Sequence, residues 1–251
     1  IAFTLSETHM DETTSEFRNH IWVASADGEY LRQFTRGEES TRSPQFTPDS
    51  KYLTFITKRD DESQVYKIAL DGGEAEKVTD SPTGVSSYAW SPDGSKLAYV
   101  RMDEESKEDK RKKKAKEDVI IVDKDQRYNR IWVMDAASGE SKALYADSVW
   151  VGSFDWSPDG SQIVFDHRPS SDLDERDAQD ISLVSADSGE VRPLVIWDGS
   201  DISPIFSHDG QHVLLISDGG KPEPIGLSNV YAIQVFGGMP SLQMNLPDQN
   251  A

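Results

Sequence analysis

No cysteine occurs anywhere in the chain, so disulfides, thiol nucleophiles and cysteine-held metal sites are excluded together. Long apolar runs are missing too. None approaches the ~18–20 residues of a membrane-spanning helix, and no signal-peptide pattern is visible. Basic residues are scarce: 26 stand against 45 acids, for a net charge of −19. A field of that sign repels polyphosphates and argues against a nucleic-acid partner. Apolar residues make up 36% of the chain, which is low for one thick core and suits many thin sheets. The compartment stays open, since cytosolic and periplasmic proteins alike can lack cysteine.

The motifs of common enzyme sites are absent as well. A nucleophile elbow needs Gly-x-Ser-x-Gly, because the sharp turn leaves no room for side chains beside the nucleophile. Gly84/Ser86, Gly139/Ser141 and Gly226/Ser228 begin that pattern, but the fifth residues are Tyr88, Ala143 and Val230. Neither a Gly-rich phosphate loop nor a dinucleotide fingerprint is present. The histidines are His9, His20, His167, His208 and His212. His208 and His212 have the separation of a helical metal pair, yet they flank a Gly turn and so do not share a face. The acid pairs Glu38-Glu39, Glu104-Glu105 and Asp60-Asp61-Glu62 lie among other charges and read as solvated surface. From the residues, then, no catalytic, cofactor-binding or metal site is assigned.

What is present is repetition. Phe46-Thr-Pro-Asp, Trp90-Ser-Pro-Asp-Gly, Trp156-Ser-Pro-Asp-Gly and Phe206-Ser-His-Asp-Gly are four copies of one phrase. Each precedes an apolar run: Tyr52-Leu-Thr-Phe-Ile, Leu97-Ala-Tyr-Val, Ile163-Val-Phe and Val213-Leu-Leu-Ile. A second phrase follows, an alternating strand ending in a Gly turn, as in Val65-Tyr-Lys-Ile-Ala-Leu-Asp-Gly-Gly. Its other copies start at Ile21, Ile131, Ile181 and Val230. Short return strands such as Leu31-Arg-Gln-Phe-Thr and Glu76-Lys-Val-Thr come next. Each repeat is therefore two hairpins, or four antiparallel strands, which is the make-up of a propeller blade.

The fold class expected is all-β, a propeller of four-stranded antiparallel blades. The Asp residues of the first phrase lie at 49, 93, 159 and 209, close to the blade length of ~40–50 residues except where an insertion intervenes. The expected organisation is a single propeller segment over 1–251. Its blades run approximately over 1–42 (incomplete), 43–85, 86–150 with a charged insertion at 103–125, 151–200 and 201–251. Residues 103–118 hold seven acids and seven bases, so Lys110 to Lys116 read as part of a neutral, solvated loop. Ile1-Ala-Phe-Thr-Leu looks like the second strand of a repeat, so the chain is expected to be part of a longer polypeptide.

The repeated residues have structural reasons. Pro fixes φ at the start of the turn, Asp bonds its own backbone, and Gly supplies positive φ. The aromatic before the turn fills space between blades, which makes Trp22, Trp90, Trp132 and Trp156 expected core residues. Trp150 and Trp197 fall in connections between blades, where they line a channel mouth or an interface.

The run Ser43-Pro-Gln-Phe-Thr-Pro-Asp-Ser-Lys-Tyr-Leu-Thr-Phe-Ile, with Gln64 to Asp80 after it, resembles the blades of the prolyl oligopeptidase family of serine peptidases. The acylaminoacyl-peptidase branch is the most similar. The Lys-rich insertion leading to Asp118-Val-Ile-Ile-Val-Asp and Tyr128-Asn-Arg-Ile-Trp-Val-Met-Asp, and the stretch Val151 to Pro169, carry the same resemblance. It implies a seven-bladed propeller preceding an α/β-hydrolase domain with a Ser-Asp-His triad, the propeller gating short or N-acylated peptide substrates. No position here matches that triad, so the catalytic domain is read as absent and the chain as inactive alone. No match to the paired-Glu amine anchor of the dipeptidyl-peptidase relatives is seen either. The partners implied are the missing hydrolase domain, the remaining blades and a peptide substrate. TolB-type propellers share the repeat, which gives a rival reading as a protein-binding scaffold; a propeller glycosidase would need paired carboxylates converging on the channel. Unpaired sheet edges at both ends imply a marginal or self-associating chain.

Overall fold

The structure is a computed structural model that describes residues 1–10, 15–106, 111, 127–145, 148–172, 175, 178–221 and 228–245. Most of the charged insertion, including Lys110 and Lys112 to Lys116, lies outside the described residues, as does Gly226. The elements are all strands. The chain divides into two compact units, one of residues 1–101 with 135–140 and one of residues 102–134 with 141–251.

In the first unit, β1 (Ala2–Met10), β2 (Ser15–Ala24) and β3 (Leu31–Gln33) form a three-stranded antiparallel sheet. Then β4 (Thr41–Phe46), β5 (Tyr52–Thr57), β6 (Gln64–Ala69) and β7 (Glu76–Lys77) form a four-stranded sheet in chain order. A further hairpin pairs β8 (Ser87–Trp90) with β9 (Lys96–Met102).

The second unit holds the hairpin of β10 (Asn129–Asp135) and β11 (Ser141–Ala143). Two further four-stranded sets follow. One is β12 (Trp150–Trp156), β13 (Gln162–Arg168), β14 (Ala178–Ser185) and β15 (Val191–Val195). The other is β16 (Gly199–Phe206), β17 (His212–Ser217), β18 (Asn229–Gln234) and β19 (Ser241–Asn245). A short parallel pairing, Ala178 with Gly199 and Gln179 with Ser200, joins the two sets.

In three repeats the second strand is buried on both faces and does not alternate, whereas β17 of the last repeat does. Leu53, Phe55 and Ile56 are fully buried, as are Leu97 and Ala98, and Ile163, Val164 and Phe165. Two flanking strands and packing on both sides explain why these runs are nearly continuous in apolar residues. In the two third strands that carry tryptophan, β2 and β10, the buried residue is the isoleucine before it, and this corrects the expectation for tryptophan. Ile21 and Ile131 point inward, so Trp22 and Trp132, one residue on, face the other way and are only half-buried. Trp90 is half-buried too and rests its Nε1–H on Thr54 Oγ1 at 3.3 Å. Trp156 alone of the four is buried.

The turn chemistry follows the sequence closely. At all four turns the hydroxyl of Thr47, Ser91, Ser157 or Ser207 donates to the Oδ1 of Asp49, Asp93, Asp159 or Asp209, at 2.6–2.7 Å. The N–H two residues past each Asp donates to the same oxygen at 3.0–3.2 Å. Gly94, Gly160 and Gly210 hold φ near +70°, and Ser50 adopts φ 56° in place of the missing glycine.

The first strand of a repeat carries a feature the phrase comparison leaves out. A serine stands three residues before the aromatic in every copy: Ser43, Ser87, Ser153 and Ser203. The pairing of first and second strands slips between Arg42 and Gln45, Val151 and Phe154, and Ile202 and Ile205. These are β-bulges that re-aim the backbone; Ser43 and Ser203 hold φ of 56° and 54° within them. The bulged strands are gripped by the neighbouring repeat. Tyr88 Oη donates to Ser43 O at 2.9 Å and lies 3.0 Å from Thr54 Oγ1. Arg42 donates to the carbonyls of Ser86 (2.7 Å) and Val85 (3.1 Å), and Gln45 Nε2 to that of Tyr88 at 2.8 Å. In the second unit the grip is ionic: Ser203 N–H donates to Asp166 Oδ2 at 3.0 Å and Phe206 N–H to Asp155 Oδ2 at 2.8 Å.

Asp166 also fixes a glycine. A Cβ on Gly152 would overlap its carboxylate, which Ser153 and Ser203 hold in place. Gly152→Ala is therefore expected to lower the free energy of unfolding by about 1–3 kcal/mol, the usual cost of overpacking. Urea unfolding of the variant checks this, and a midpoint equal to the parent's would contradict it.

Candidate functional site

Two places in the second unit carry chemistry that the repeat itself does not require. The first is a set of carboxylates at the end of the sheets opposite the Asp turns. Seven residues past each turn Asp stand Ile56, Val100 and Ile216, but Asp166 in the third copy. Eight residues before stand Thr41, Val85 and Val151, but Asp201 in the fourth. Both acids are buried, Asp166 at 3% and Asp201 at 0% exposure. Burial raises the pKa of each because it penalises the charged form.

Their surroundings differ. Asp166 accepts from Ser153 Oγ, Ser153 N–H and Ser203 N–H, with Arg168 nearby, and these partners offset part of the penalty. Asp201 accepts no hydrogen bond of normal geometry on either oxygen. The Ser217 hydroxyl and the Trp197 N–H offset its burial only in part, and Asp218 and Asp180 push its pKa further, to about 6. Asp180 is itself raised by burial. Asp218 Oδ2 accepts from Ser200 N–H at 3.2 Å and Oδ1 from Gly220 N–H at 3.2 Å, and Ser200 Oγ donates to Gln179 Oε1 at 3.0 Å.

Close by, His167 Nε2 meets Ser182 Oγ at 2.8 Å. That is the spacing of a nucleophile and its base. Ser182 is buried, however, and burial lowers the His167 pKa, so the pair is a neutral contact inside a hairpin. Among the described residues no three His, Asp or Glu side chains converge as a metal set.

The second place is a cleft of about 360 Å³ between the turns of the last two repeats. Pro158, Phe206, Val235 and Phe236 form its apolar walls, with Asp159, Asp209 and Gln162 among its polar residues. Pro158 packs against Gly210, where an added Cβ would lie 3.5 Å from the Pro ring.

The residues weighed from the sequence are scattered. Ser86 donates to Val100 O, and Ser141 opens β11 as an exposed residue. His208 is exposed in the turn, while His212 opens β17. His20 is buried with Nδ1 unpartnered, and His9 is exposed. Glu38, Glu39, Asp60, Asp61 and Glu62 are exposed, and Glu105 pairs with Arg127 at 3.8 Å. Trp150 begins β12 and lies under the Arg168 guanidinium at 5.9 Å, so it is not in a connection. Trp197 does lie in one, edge-on to Tyr231 at 5.3 Å. The repeated phrases do not single out Asp166, Asp201 or Phe236. Only position-by-position comparison of the repeats flags them.

Comparison with known proteins follows the same lines. Residues 10–122 match PD40, the TolB beta propeller domain. An uncharacterized peptidase of Bacillus subtilis, YuxL, is 31% identical over 186 residues, covering 68% of this chain and 28% of YuxL. Among solved structures, the Pyrococcus horikoshii acylaminoacyl peptidase superposes with a TM-score of 0.65 at 21% identity, over 96% of this chain and 37% of that one. A putative TolB from Agrobacterium tumefaciens gives 0.62 at 20% identity, over 92% and 70%. The fold is that of a β-propeller. The chain spans little more than a quarter of the length of its peptidase relative.

The buried acid gives a testable signature. The Asp201 carboxyl has a pKa near 6 in the folded chain against 3.8 as its ordinary value. A raised carboxyl pKa favours the folded state below pH ~4, and that stability is lost as pH rises towards 6. At pH 7 the ionised group costs up to ~3 kcal/mol. Asp201→Asn is expected to be more stable than the parent at pH 7, with the difference vanishing near pH 4. Thermal melts across that range check it, and no gain at pH 7 would contradict it.

Proposed function

We propose that this chain is the non-catalytic propeller portion of a serine peptidase of the acylaminoacyl-peptidase type, admitting short or N-acylated peptides to a hydrolase domain. The observation that carries this reading is the 31% identity to a peptidase over two thirds of the chain. The likeness to the archaeal acylaminoacyl peptidase supports the fold of such an enzyme, since at 21% identity it speaks to fold alone. In this reading the strands described here restrict entry and the chemistry is done elsewhere in the polypeptide. The edge of the last sheet supports a role inside a larger assembly: Met239, Leu242 and Met244 are all more than half exposed. Such a run of apolar side chains suits a neighbouring blade.

A second reading is favoured by the match of residues 10–122 to the TolB beta propeller domain. There the propeller binds another protein and belongs to no enzyme. The two separate on one experiment. The natural polypeptide is treated with a fluorophosphonate probe, which labels activated serines, and resolved by mass. A labelled product far larger than 28.0 kDa, together with hydrolysis of N-acetylated peptides, is the expected result. The 251-residue chain itself should take no label. An unlabelled natural product would sink the peptidase reading in favour of the scaffold.

A further inference from the structure

The cleft between the last two Asp turns has features that the fold does not explain. Six residues into the second phrase of each repeat stand Asp27, Asp71, Ala137 and Asp187, but Phe236 in the last. It is an aromatic in a turn position, 85% exposed, and nothing in the packing of its sheet calls for it. Its ring forms one wall of the cleft, with Phe206 and Pro158 as the others.

The polar atoms facing this apolar box are mostly acceptors. The backbone N–H groups of the two turns are spent internally: Ser161 on Asp159, Gln162 on Ser157 Oγ, Gly210 on Ser207 O and Gln211 on Asp209. Each turn Asp uses only Oδ1 for this work. Asp159 takes Ser157 and Ser161 there, and Asp209 takes Ser207 and Gln211. Among the described residues, Oδ2 of neither takes a donor. These hydrogen bonds hold both carboxyls below their ordinary pKa, so they are ionised at neutral pH; His212 lies beside Asp209 and adds to that effect. Gln162 Oε1 is buried and has no hydrogen-bond donor.

Two carboxylate oxygens, an orphaned amide oxygen and an open aromatic face ask for a ligand that donates several hydrogen bonds, carries positive charge and has an apolar stem. We propose that this cleft binds a cationic side chain of a peptide, with an arginine guanidinium as its best fit. The guanidinium donates in a plane to the carboxylates and the Gln162 oxygen, and its face stacks on the Phe236 ring. The methylene stem lies along Pro158 and Phe206. The site is independent of the peptidase reading, because it needs only the two turns and the Phe236 ring.

The test uses N-acetyl-arginine amide as probe and N-acetyl-citrulline amide, its uncharged isostere, as control. Amide chemical shifts of the 15N-labelled chain are followed during titration up to ~10 mM, the range in which a millimolar site saturates. The arginine probe is expected to shift Gly210, Gln211 and Phe236 selectively and the citrulline probe to leave them in place. Phe236→Ala, an exposed change that leaves folding intact, should weaken binding about two- to fivefold. Gln162→Met should weaken it too, and added salt should do the same. Equal shifts with citrulline, no shifts at these amides, or full binding by Phe236→Ala would each overturn the proposal.

Discussion

The structure depends on how the first strand of one repeat is held by its neighbour. A four-stranded sheet of this size has two faces to bury and cannot do so alone. The apolar second strands supply the area, but area has no register. Register comes from hydrogen bonds to the bulged first strands: Tyr88 to Ser43, Arg42 to the Val85 and Ser86 carbonyls, Asp166 to Ser203 and Asp155 to Phe206. Bulges at Ser43 and Ser203 present a backbone group that a neighbouring repeat takes. The recurring serine suits this role, since its short side chain tolerates the positive φ seen at Ser43 and Ser203.

The grip is built differently in the two units. In the first it is neutral or cationic, with a tyrosine, a glutamine and an arginine donating. In the second it is made by carboxylates, Asp166 buried and Asp155 half-buried, whose desolvation penalty is only partly recovered by their hydrogen bonds. Asp201 adds a further acid whose burial Ser217 and the Trp197 N–H offset only in part, beside Asp180 and Asp218. Concentrating unpaired negative charge inside the last two repeats works against stability at neutral pH. This marks the second unit as the place where the repeat departs from what folding alone would select.

Much of the fold was legible in the sequence because the turns announce themselves. The hydroxyl, the carboxylate and the positive φ determine the turn, and all four copies fold that way although Ser50 replaces Gly in the first and His208 replaces Pro in the last. The Gly-rich ends of the third strands are equally plain. The tryptophans were less legible. Their size suggested core positions, but strand alternation puts Trp22 and Trp132 opposite the buried Ile21 and Ile131. The candidate sites were hardly legible at all. Asp166, Asp201 and Phe236 break no motif; each is one residue out of place in one copy, and its meaning depends on burial or exposure that only folding reveals.

Native-state hydrogen exchange at Ser203 and Phe206 tests the central claim most directly. Both amides donate to carboxylates of the preceding repeat. If those bonds hold the repeats in register, the two amides exchange only on global unfolding, together with the buried strand residues Val213 and Leu215. Exchange as fast as at the exposed turn residue His208 would show that apolar packing alone sets the arrangement, and would contradict the account.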